Sequence, residues 1–314
     1  MSRRYALVAT ITAFVVLAFA PMDWGSHRAL WNALGNAAHY PFQALVTLVV
    51  FGLLRRRGRL ARYGGAAALS CAAAVGIELV QPLVSRTGSI GDATNGIIGV
   101  AAALAGICVW QELSSRSLRV VHAILSLTVF AVLLLPAWAE LEAALWRGRH
   151  FPLLGDFESA LELRSWQPVG VSRVPLSSTH AANGRSSLEV RSGPGRWVGV
   201  GYLGGRADWT PFTRLSYEVY NPGDSFPLTL RVDDDQDTSD YGSRFNRALP
   251  MQPGWNEVHV PIEEIRKGPK DRLLDTARIT RFYLFVPEAK APRAFYLDNV
   301  RLERDPLRVS SRRR

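Results

Sequence analysis

The distribution of apolar residues divides this chain into two halves that do not share one core. Residues 1–146 hold nearly all the long apolar runs, whereas the rest has the Gly, Pro, Asp and aromatic content of a strand-rich soluble fold. At 314 residues the chain also exceeds one typical domain. We therefore predict a multi-domain protein with an α-helical transmembrane bundle (1–146), an all-β jelly-roll sandwich (149–305) and a basic tail (306–314).

Five segments of the first half are predicted to span a membrane. Each is close to the ~20 residues that cross a hydrocarbon core, and they lie at about residues 5–20, 37–54, 64–84, 95–110 and 121–138. The first segment has the charged start and apolar centre of a signal peptide. Because further apolar segments follow it, we expect a retained helix.

The arginines predict how the chain is oriented in the membrane. A net charge of +10 is typical of nucleic-acid binding proteins, but much of the excess flanks the apolar segments. With five alternating spans the Arg-rich loops share one side, which the positive-inside rule makes cytoplasmic. We therefore predict the inner membrane of a bacterial cell, a lipid bilayer as partner, no nucleic-acid partner, and a C-terminal domain that is periplasmic or extracellular.

Six polar residues stand within or beside the apolar segments, where exposure to lipid is costly. All map to the outer end of the predicted bundle: His39, Glu78, Gln81, Arg86, Asp92 and Asn95. Glu78 and Gln81 are three residues apart, as are Asp92 and Asn95, so each pair can share a helix face. We predict one outward-facing cluster, with His39, Glu78 and Asp92 as catalytic residues if the protein is an enzyme. The alternative is that Glu78 pairs with Arg86 or His39 only to hold helices together.

Small residues follow this polar cluster along the fourth predicted span. Gly99, Ala103 and Gly106 come after Asn95 at intervals of three or four residues. Small side chains at such spacing let two helices approach closely. We expect them to bring the third and fourth spans together.

The same residues resemble the VanZ-like membrane family. The motif consists of a histidine at a helix start, followed by Glu-x-x-Gln, Arg and Asp-x-x-Asn-Gly-x-x-Gly, which are here His39, Glu78, Gln81, Arg86, Asp92, Asn95, Gly96 and Gly99. The resemblance covers about residues 5–111. It implies a role in the cell envelope rather than a particular reaction.

The second half alternates apolar and polar residues in short runs separated by turn formers such as Asn183-Gly184 and Pro253-Gly254. Period-two alternation is typical of strands with one buried face. The runs lie at residues 187–191, 197–203, 215–220, 228–232, 257–260, 282–286 and 295–302. Seven such runs in this length predict a sandwich of the jelly-roll type.

The ends of this half resemble galactose-binding-like sandwiches, which include carbohydrate-binding modules. The motifs are Gly155-Asp156-Phe157-Glu158 at the start and Tyr296-Leu297-Asp298-Asn299-Val300 at the end. In related modules a terminal acidic pair often holds a structural Ca²⁺, so the resemblance implies Glu158 and Asp298 as calcium ligands. The alternative is that Asp298 only forms a hydrogen bond with the first strand.

A sugar-binding surface is predicted from five aromatic and polar residues: Trp197, Trp209, Tyr241, Arg244 and Asn246. Aromatic rings and a few placed polar groups are what such sites use, although aromatic residues in a sandwich also serve as core. The neighbouring acidic segment, residues 233–240, lacks the EF-hand's glycine and final glutamate. We expect it to be a solvated loop.

Two functions follow from these observations. The first is binding or scaffolding, in which the sandwich binds a glycan or lipid-linked saccharide while the bundle anchors it in the cell envelope. The second is catalysis on a lipid-linked or glycan substrate by the outer polar cluster. Transport has less support because the polar residues sit at one end of the bundle. The sequence contains no Walker loop, HExxH motif, nucleophile elbow or dinucleotide fingerprint.

Overall fold

The computed structural model describes residues 28–81, 89–113, 115–236 and 240–305. Within these ranges a helical half is followed by two antiparallel β-sheets, which confirms the predicted fold class. The chain forms two compact units. Among the described residues, the first unit ends at Trp138 and the second begins at Ala139.

The first unit is built from long helices. They are α1 (Arg28–Leu53), α2 (Arg59–Val80), α3 (Ile90–Ile107) and α4 (Arg116–His150). A π-helical turn, Cys108–Leu113, extends α3. Ser89 begins α3 as its N-cap, with the side-chain oxygen accepting a hydrogen bond from the N–H of Gly91. The last part of α4, from Ala139 onward, belongs to the second unit.

Three helical segments are long and apolar enough to cross a membrane: Arg59–Val80, Ile90–Gln111 and Arg116–His150. In α4, Leu125, Leu127 and Leu135 are each at least 60% exposed, as expected of side chains that face lipid. Within the described residues the sequence predicted four such spans. The remaining candidate, residues 37–54, is helical in α1 but carries buried polar residues that lower its hydropathy. The first predicted span, residues 5–20, lies outside the described residues.

Close helix contacts in the first unit depend on glycines of α3. A methyl group added at Gly99 would overlap the backbone carbonyl of Tyr40, so α3 lies directly against α1 there. One added at Gly106 would come within 2.8 Å of the His122 ring on α4. The prediction that small residues of α3 allow close packing is therefore right in kind, but Gly99 packs against α1 rather than α2. The spacing of small residues along one helix does not identify which neighbouring helix packs against them.

The second unit is a sandwich of two antiparallel sheets. The first sheet has the order β10-β7-β12-β5-β3, with β1 pairing with β12 and β4 with β5, and the second has the order β2-β6-β11-β8-β9. The strands are β1 (Leu153–Gly155), β2 (Trp166–Val169), β3 (Ser172–Arg173), β4 (Leu176–Ser177), β5 (Ser187–Ser192), β6 (Gly195–Tyr202), β7 (Arg214–Asn221), β8 (Phe226–Asp234), β9 (Phe245–Met251), β10 (Gly254–Pro261), β11 (Ile279–Ala289) and β12 (Arg293–Glu303). A short helix, α5 (Ile262–Arg266), follows β10.

The core lies between the sheets and uses alternate residues of each strand. One buried row crosses the second sheet through Trp166, Tyr202, Phe282, Val232 and Phe245. Each opposed pair of antiparallel residues points to the same face. The next row along the strands therefore points outward, and this alternation creates the outer surface described below.

Candidate functional site

Three ionisable side chains of the first unit meet at one point. His39 comes from α1, Glu78 from the last turn of α2 and Asp92 from the first turn of α3. One ligating atom from each lies within 4.8 Å of those from the other two. Glu78 and Asp92 are each only 8% exposed. The structure thus brings together the three residues that the sequence singled out as catalytic candidates.

The start of α3 positions the Glu78 carboxylate. Its Oε2 accepts a hydrogen bond of 2.8 Å from the backbone N–H of Ser89, where the helix dipole favours a negative charge. Its Oε1 is buried and has no hydrogen-bond partner within the described residues. That oxygen lies 3.6 Å from Nδ1 of His39. One carboxylate oxygen is therefore anchored and the other is directed into the cluster.

Two asparagines surround Asp92. With its amide oriented to satisfy its polar atoms, Asn36 donates to both carboxylate oxygens of Asp92, at 3.1 and 3.3 Å. Asn95 donates from Nδ2 to the backbone carbonyl of Asn36 at 3.1 Å, so it acts on the cluster through α1. Asn36 escaped the sequence analysis, although its position three residues before His39 places both on one helix face.

The structure describes one of the two other predicted members of this cluster, Gln81 and Arg86. Gln81 follows the end of α2 and is buried, with 3% of its surface exposed. Arg86 lies outside the described residues.

The predicted calcium ligands both hold the loop that precedes β5. Asp298 Oδ2 accepts hydrogen bonds of 2.7 and 3.1 Å from the amides of residues 182 and 183. Glu158 Oε1 accepts bonds of 2.7 Å from the amides of residues 185 and 186. These amides belong to the loop, not to the first strand that the alternative interpretation named for Asp298. The assignment of Ca²⁺ to this pair stays a prediction.

A third carboxylate, Glu162, organises the start of the sandwich. It is 1% exposed and accepts hydrogen bonds from the amides of residues 156, 157 and 159, at 2.9 to 3.0 Å. Burial raises the pKa of Glu162 to about 7 and the pKa of Asp298 to about 6. Burial therefore shifts the pKa of both carboxyl groups toward neutral pH.

One row of residues crosses the outer face of the second sheet. It runs from β2 through β6, β11 and β8 to β9, each residue directly opposite the next: Gln167, Gly201, Tyr283, Arg231 and Asn246. Phe285 lies two residues along β11 from Tyr283 and so on the same side. We call this surface the ladder face and define it by seven residues: Gln167, Gly201, Tyr283, Arg231, Asn246, Trp197 and Phe285.

Aromatic rings cover one end of the ladder face. Trp197 packs edge-on against Phe285, with ring centroids 5.3 Å apart, and stays 45% exposed. A β-carbon added at Gly201 would lie 2.6 Å from the Tyr283 ring, so this ring sits directly against β6. The glycine therefore leaves space for an aromatic side chain to lie across the sheet.

Charged groups form the other end of the ladder face. Arg231 donates to Asp233 from Nε and Nη2, at 2.9 and 2.7 Å, and Arg281 donates to the same carboxylate at 3.0 Å. The Arg231 guanidinium also lies 5.1 Å from the centre of the Tyr283 ring. Such bidentate and ring contacts hold the Arg231 guanidinium in one orientation.

The expectation of a solvated acidic loop is wrong for its first two residues. Asp233 and Asp234 are at most 1% exposed, because β8 extends through Asp234 and arginines neutralise the carboxylates. Asp234 contacts Arg272, and Asp235 contacts two further arginines, Arg206 and Arg278. Asp237 lies outside the described residues.

Two of the five predicted sugar-binding residues lie on the ladder face. Trp197 and Asn246 belong to it, and Arg244, just before β9, has its guanidinium 5.6 Å from the centre of the exposed Tyr241 ring. Trp209 does not belong to this surface. It is 1% exposed and packs against Phe282 in the core, because the segment before β7 folds inward rather than across the sheet.

The sequence analysis missed Tyr283 and Arg231, the centre of the row. Both occupy outward positions of predicted strands, residues 282–286 and 228–232. Strand β9 was also missed, and without it Asn246 has no place in a sheet. The available signal was the period-two alternation itself, which marks outward positions as clearly as inward ones.

A second aromatic cluster lies on the outer face of the first sheet. His180 stacks on Tyr220 with centroids 3.9 Å apart and meets Tyr296 edge-on at 4.7 Å. Trp255 packs against Tyr220 at 5.2 Å and is 44% exposed. The hydroxyl of Tyr296 donates to Glu189 at 3.2 Å. This cluster gives the sandwich a second exposed tryptophan, on the opposite face.

No model of a known protein family matches the sequence, and no curated protein matches it. The resemblance of residues 5–111 to the VanZ-like family therefore stays a prediction.

Several solved structures are similar to the β-rich half. A family 11 carbohydrate-binding module from Clostridium thermocellum, in complex with a β-1,3-1,4-mixed-linked tetrasaccharide, is 17% identical with a TM-score of 0.39, covering 48% of this chain and 94% of that one. An exo-β-agarase is 18% identical with a TM-score of 0.41, covering 49% and 25%. A CBM22-1 xylan-binding domain from Paenibacillus barcinonensis Xyn10C is 18% identical with a TM-score of 0.33, covering 45% and 87%.

Proposed function

We propose that this protein is a membrane-anchored glycan-binding protein of the bacterial cell envelope, and that the ladder face is its binding surface. The observation that carries the proposal is the half-exposed Trp197 ring on the same sheet face as the fixed Arg231 guanidinium and the Asn246 amide. A sugar ring presents C–H groups on its faces and hydroxyls at its rim. An aromatic ring packs against the C–H groups, while Arg231 and Asn246 are suited to hydrogen bonds with the hydroxyls.

Unused polar atoms at this surface support the proposal. Asn246 Nδ2 and Arg244 Nε are buried and have no hydrogen-bond partner in the described part of the chain. A buried donor without a partner costs about 1 to 3 kcal/mol. A hydroxyl group of a bound saccharide would satisfy the Asn246 donor once the amide turns to the surface on binding.

The helical half supports membrane anchoring in this proposal. Three segments have the length and composition of spans, and α4 leads directly into the sandwich. The VanZ-like assignment and the cell-envelope role are part of the proposal. Their support is the family motif, of which His39, Glu78 and Asp92 lie together in space.

The test is glycan binding by the full-length protein in detergent micelles. A panel of soluble oligosaccharides should include a β-1,3-1,4-linked tetrasaccharide and xylo-oligosaccharides. We expect Trp197→Ala to lower the affinity for the bound glycan at least tenfold. Trp255→Ala is the matched control, since Trp255 is equally exposed but lies on the opposite sheet.

Each outcome of this comparison is decisive. Loss of binding in Trp255→Ala with retention in Trp197→Ala would move the site to the His180 and Tyr220 cluster. A wild-type protein that binds no glycan of the panel, while remaining folded, would refute the proposed function.

A second candidate function is catalysis on a lipid-linked or glycan substrate. It is favoured by the juxtaposition of His39 with two buried carboxylates, Glu78 and Asp92, a combination used in acid–base chemistry. Glu78→Gln should then abolish complementation of an envelope phenotype while the amount of protein in the membrane stays normal. Reduced abundance with normal activity per molecule would instead indicate a structural role.

A further inference from the structure

We propose that His39, Glu78 and Asp92 bind one divalent transition-metal ion, with Zn²⁺ the best match to the ligand set. The ligands would be one imidazole nitrogen and two carboxylate oxygens, contributed by three different helices. This site lies in the helical unit and is separate from the calcium pair predicted in the sandwich. The inference does not depend on glycan binding.

The spacing of the three ligating atoms suits a small cation. In a tetrahedral site with bonds of about 2.0 Å, neighbouring ligand atoms are about 3.3 Å apart. Nδ1 of His39 and Oε1 of Glu78 are already 3.6 Å apart, and all three atoms fall within 4.8 Å of one another. Small side-chain rotations therefore suffice to close the site around an ion.

The unpartnered oxygen of Glu78 points to a ligand rather than to a simple ion pair. Only 8% of the surface of Glu78 is exposed, and its Oε1 accepts no hydrogen bond from any described residue. A distance of 3.6 Å from His39 is too long for a hydrogen bond. A buried carboxylate oxygen left in this state is costly, and a cation between Glu78 and His39 would remove that cost.

The layer immediately inside the cluster adds a second unsatisfied group. Gln43, four residues after His39, is fully buried, and neither polar atom of its amide has a hydrogen-bond partner within the described residues. A β-carbon added at Gly96 would lie 3.0 Å from Cγ of Gln43 and 3.2 Å from Cβ of Ala74. Small residues thus surround the Gln43 side chain one turn inside the metal ligands. Its amide is suited to hold a water molecule bound to the ion.

Neighbouring groups orient the proposed ligands. Asn36 donates to the Asp92 carboxylate, and the Ser89 amide donates to Oε2 of Glu78. Outer contacts of this kind fix ligand orientation in metal sites. An imidazole with two carboxylates favours Zn²⁺ over Ca²⁺ or Mg²⁺, which prefer all-oxygen sites. Three protein ligands leave one position for water or an anionic oxygen of a substrate.

The experiment measures metal binding by the full-length protein in detergent. Protein stripped with a chelator and dialysed against Zn²⁺ should retain one metal ion per chain, measured by mass spectrometry of the metal. Co²⁺ in place of Zn²⁺ should give the visible absorption of a four- or five-coordinate site, a readout on the wild-type protein that needs no variant. Glu78→Gln, Asp92→Asn and His39→Asn should each lower Zn²⁺ affinity at least tenfold.

Two control variants separate this site from others. His122→Asn removes a histidine of the same unit that contacts the Ala102 carbonyl instead of the cluster, and Glu158→Gln alters the predicted calcium pair. Both should keep the bound Zn²⁺. No stoichiometric metal in the wild type, or unchanged metal content when all three ligands are replaced, would overturn the proposal. Loss of metal in Glu158→Gln alone would place the ion in the sandwich and overturn it as well.

Discussion

Oε1 of Glu78 lies 3.6 Å from Nδ1 of His39, although the two residues belong to different helices. The contact depends on how closely the helices pack. Helix α3 lies directly on α1 at Gly99, and its first turn supplies Asp92 and the Ser89 amide that orient the cluster. The polar cluster and the packing of small residues are therefore two parts of one arrangement.

Replacing Gly99 with alanine should disrupt this packing. The added methyl group would overlap the carbonyl of Tyr40, which is backbone and cannot rotate away. We expect a loss of about 1 to 3 kcal/mol of stability, seen as a lower melting temperature in detergent. Gly76→Ala is the control, because its added methyl group meets nothing within 4 Å and alanine is the better helix former. Equal melting temperatures would contradict the described contact.

The two tryptophans Trp197 and Trp209 should behave in opposite ways. Trp209→Ala removes a fully buried ring from the core and should destabilise the sandwich by about 3 to 5 kcal/mol. Trp197→Ala removes a half-exposed ring and should change stability far less. Urea unfolding of the isolated domain, residues 149–305, measures both, and a larger loss in Trp197→Ala would contradict this assignment of core and surface.

The isolated domain, residues 149–305, should fold without the helical unit because its core lies within the two sheets. Circular dichroism should show a soluble, β-rich protein. If Glu158 and Asp298 bind Ca²⁺, the ion should raise the melting temperature, since a ligand of the folded state alone stabilises that state. An unchanged melting temperature with calcium or chelator would remove the calcium prediction and leave the fold intact.

The sandwich should become less stable as the pH rises from acidic to neutral. Burial raises the pKa of Glu162 from 4.5 to about 7, so the folded state holds this proton more tightly than the unfolded state. This contribution is fully present below about pH 4.5 and is lost as the pH rises through 7, a loss of at most about 3 kcal/mol. Urea unfolding of the isolated domain at pH 5 and pH 8 measures it.

Two variants test the origin of this dependence. Glu162→Gln should lower stability at both pH values, since an amide nitrogen would face backbone donors, but should flatten the slope. Glu288→Gln, which changes an exposed carboxylate, should keep the wild-type slope. A slope unaffected by Glu162→Gln would assign the pH dependence to other groups such as Asp298, whose pKa burial raises to about 6.

Reporter fusions test the predicted orientation. Alkaline phosphatase should be active when fused after residue 150 and inactive when fused after residue 60, because the Arg-rich loop at residues 55–62 marks the cytoplasmic side. A fusion after residue 115 should also be inactive. The reverse pattern would contradict the arrangement of spans and the placement of the sandwich outside the cytoplasm.

Local sequence patterns were enough to predict seven of the twelve strands and the fold class. Period-two alternation in residues 282–286 requires one buried face, and Phe282 is indeed fully buried. Likewise, the cost of a polar group in lipid is enough to mark His39, Glu78 and Asp92 as unusual positions in an apolar segment. Both inferences depend on the free energy of placing one residue type in water or in an apolar environment. The residue types and their order are given by the sequence.

The tertiary structure alone decided which residues meet. Trp197 and Trp209 are the same residue type, yet one joins the ladder face and the other the core, because Trp197 lies in β6 whereas the segment before β7 folds Trp209 inward. Gln43 and Asn36 lie beside the three proposed metal ligands only because α1 packs against α3. Such pairings depend on close approach between distant segments, where one β-carbon at Gly99 would prevent contact, and no local pattern encodes that distance.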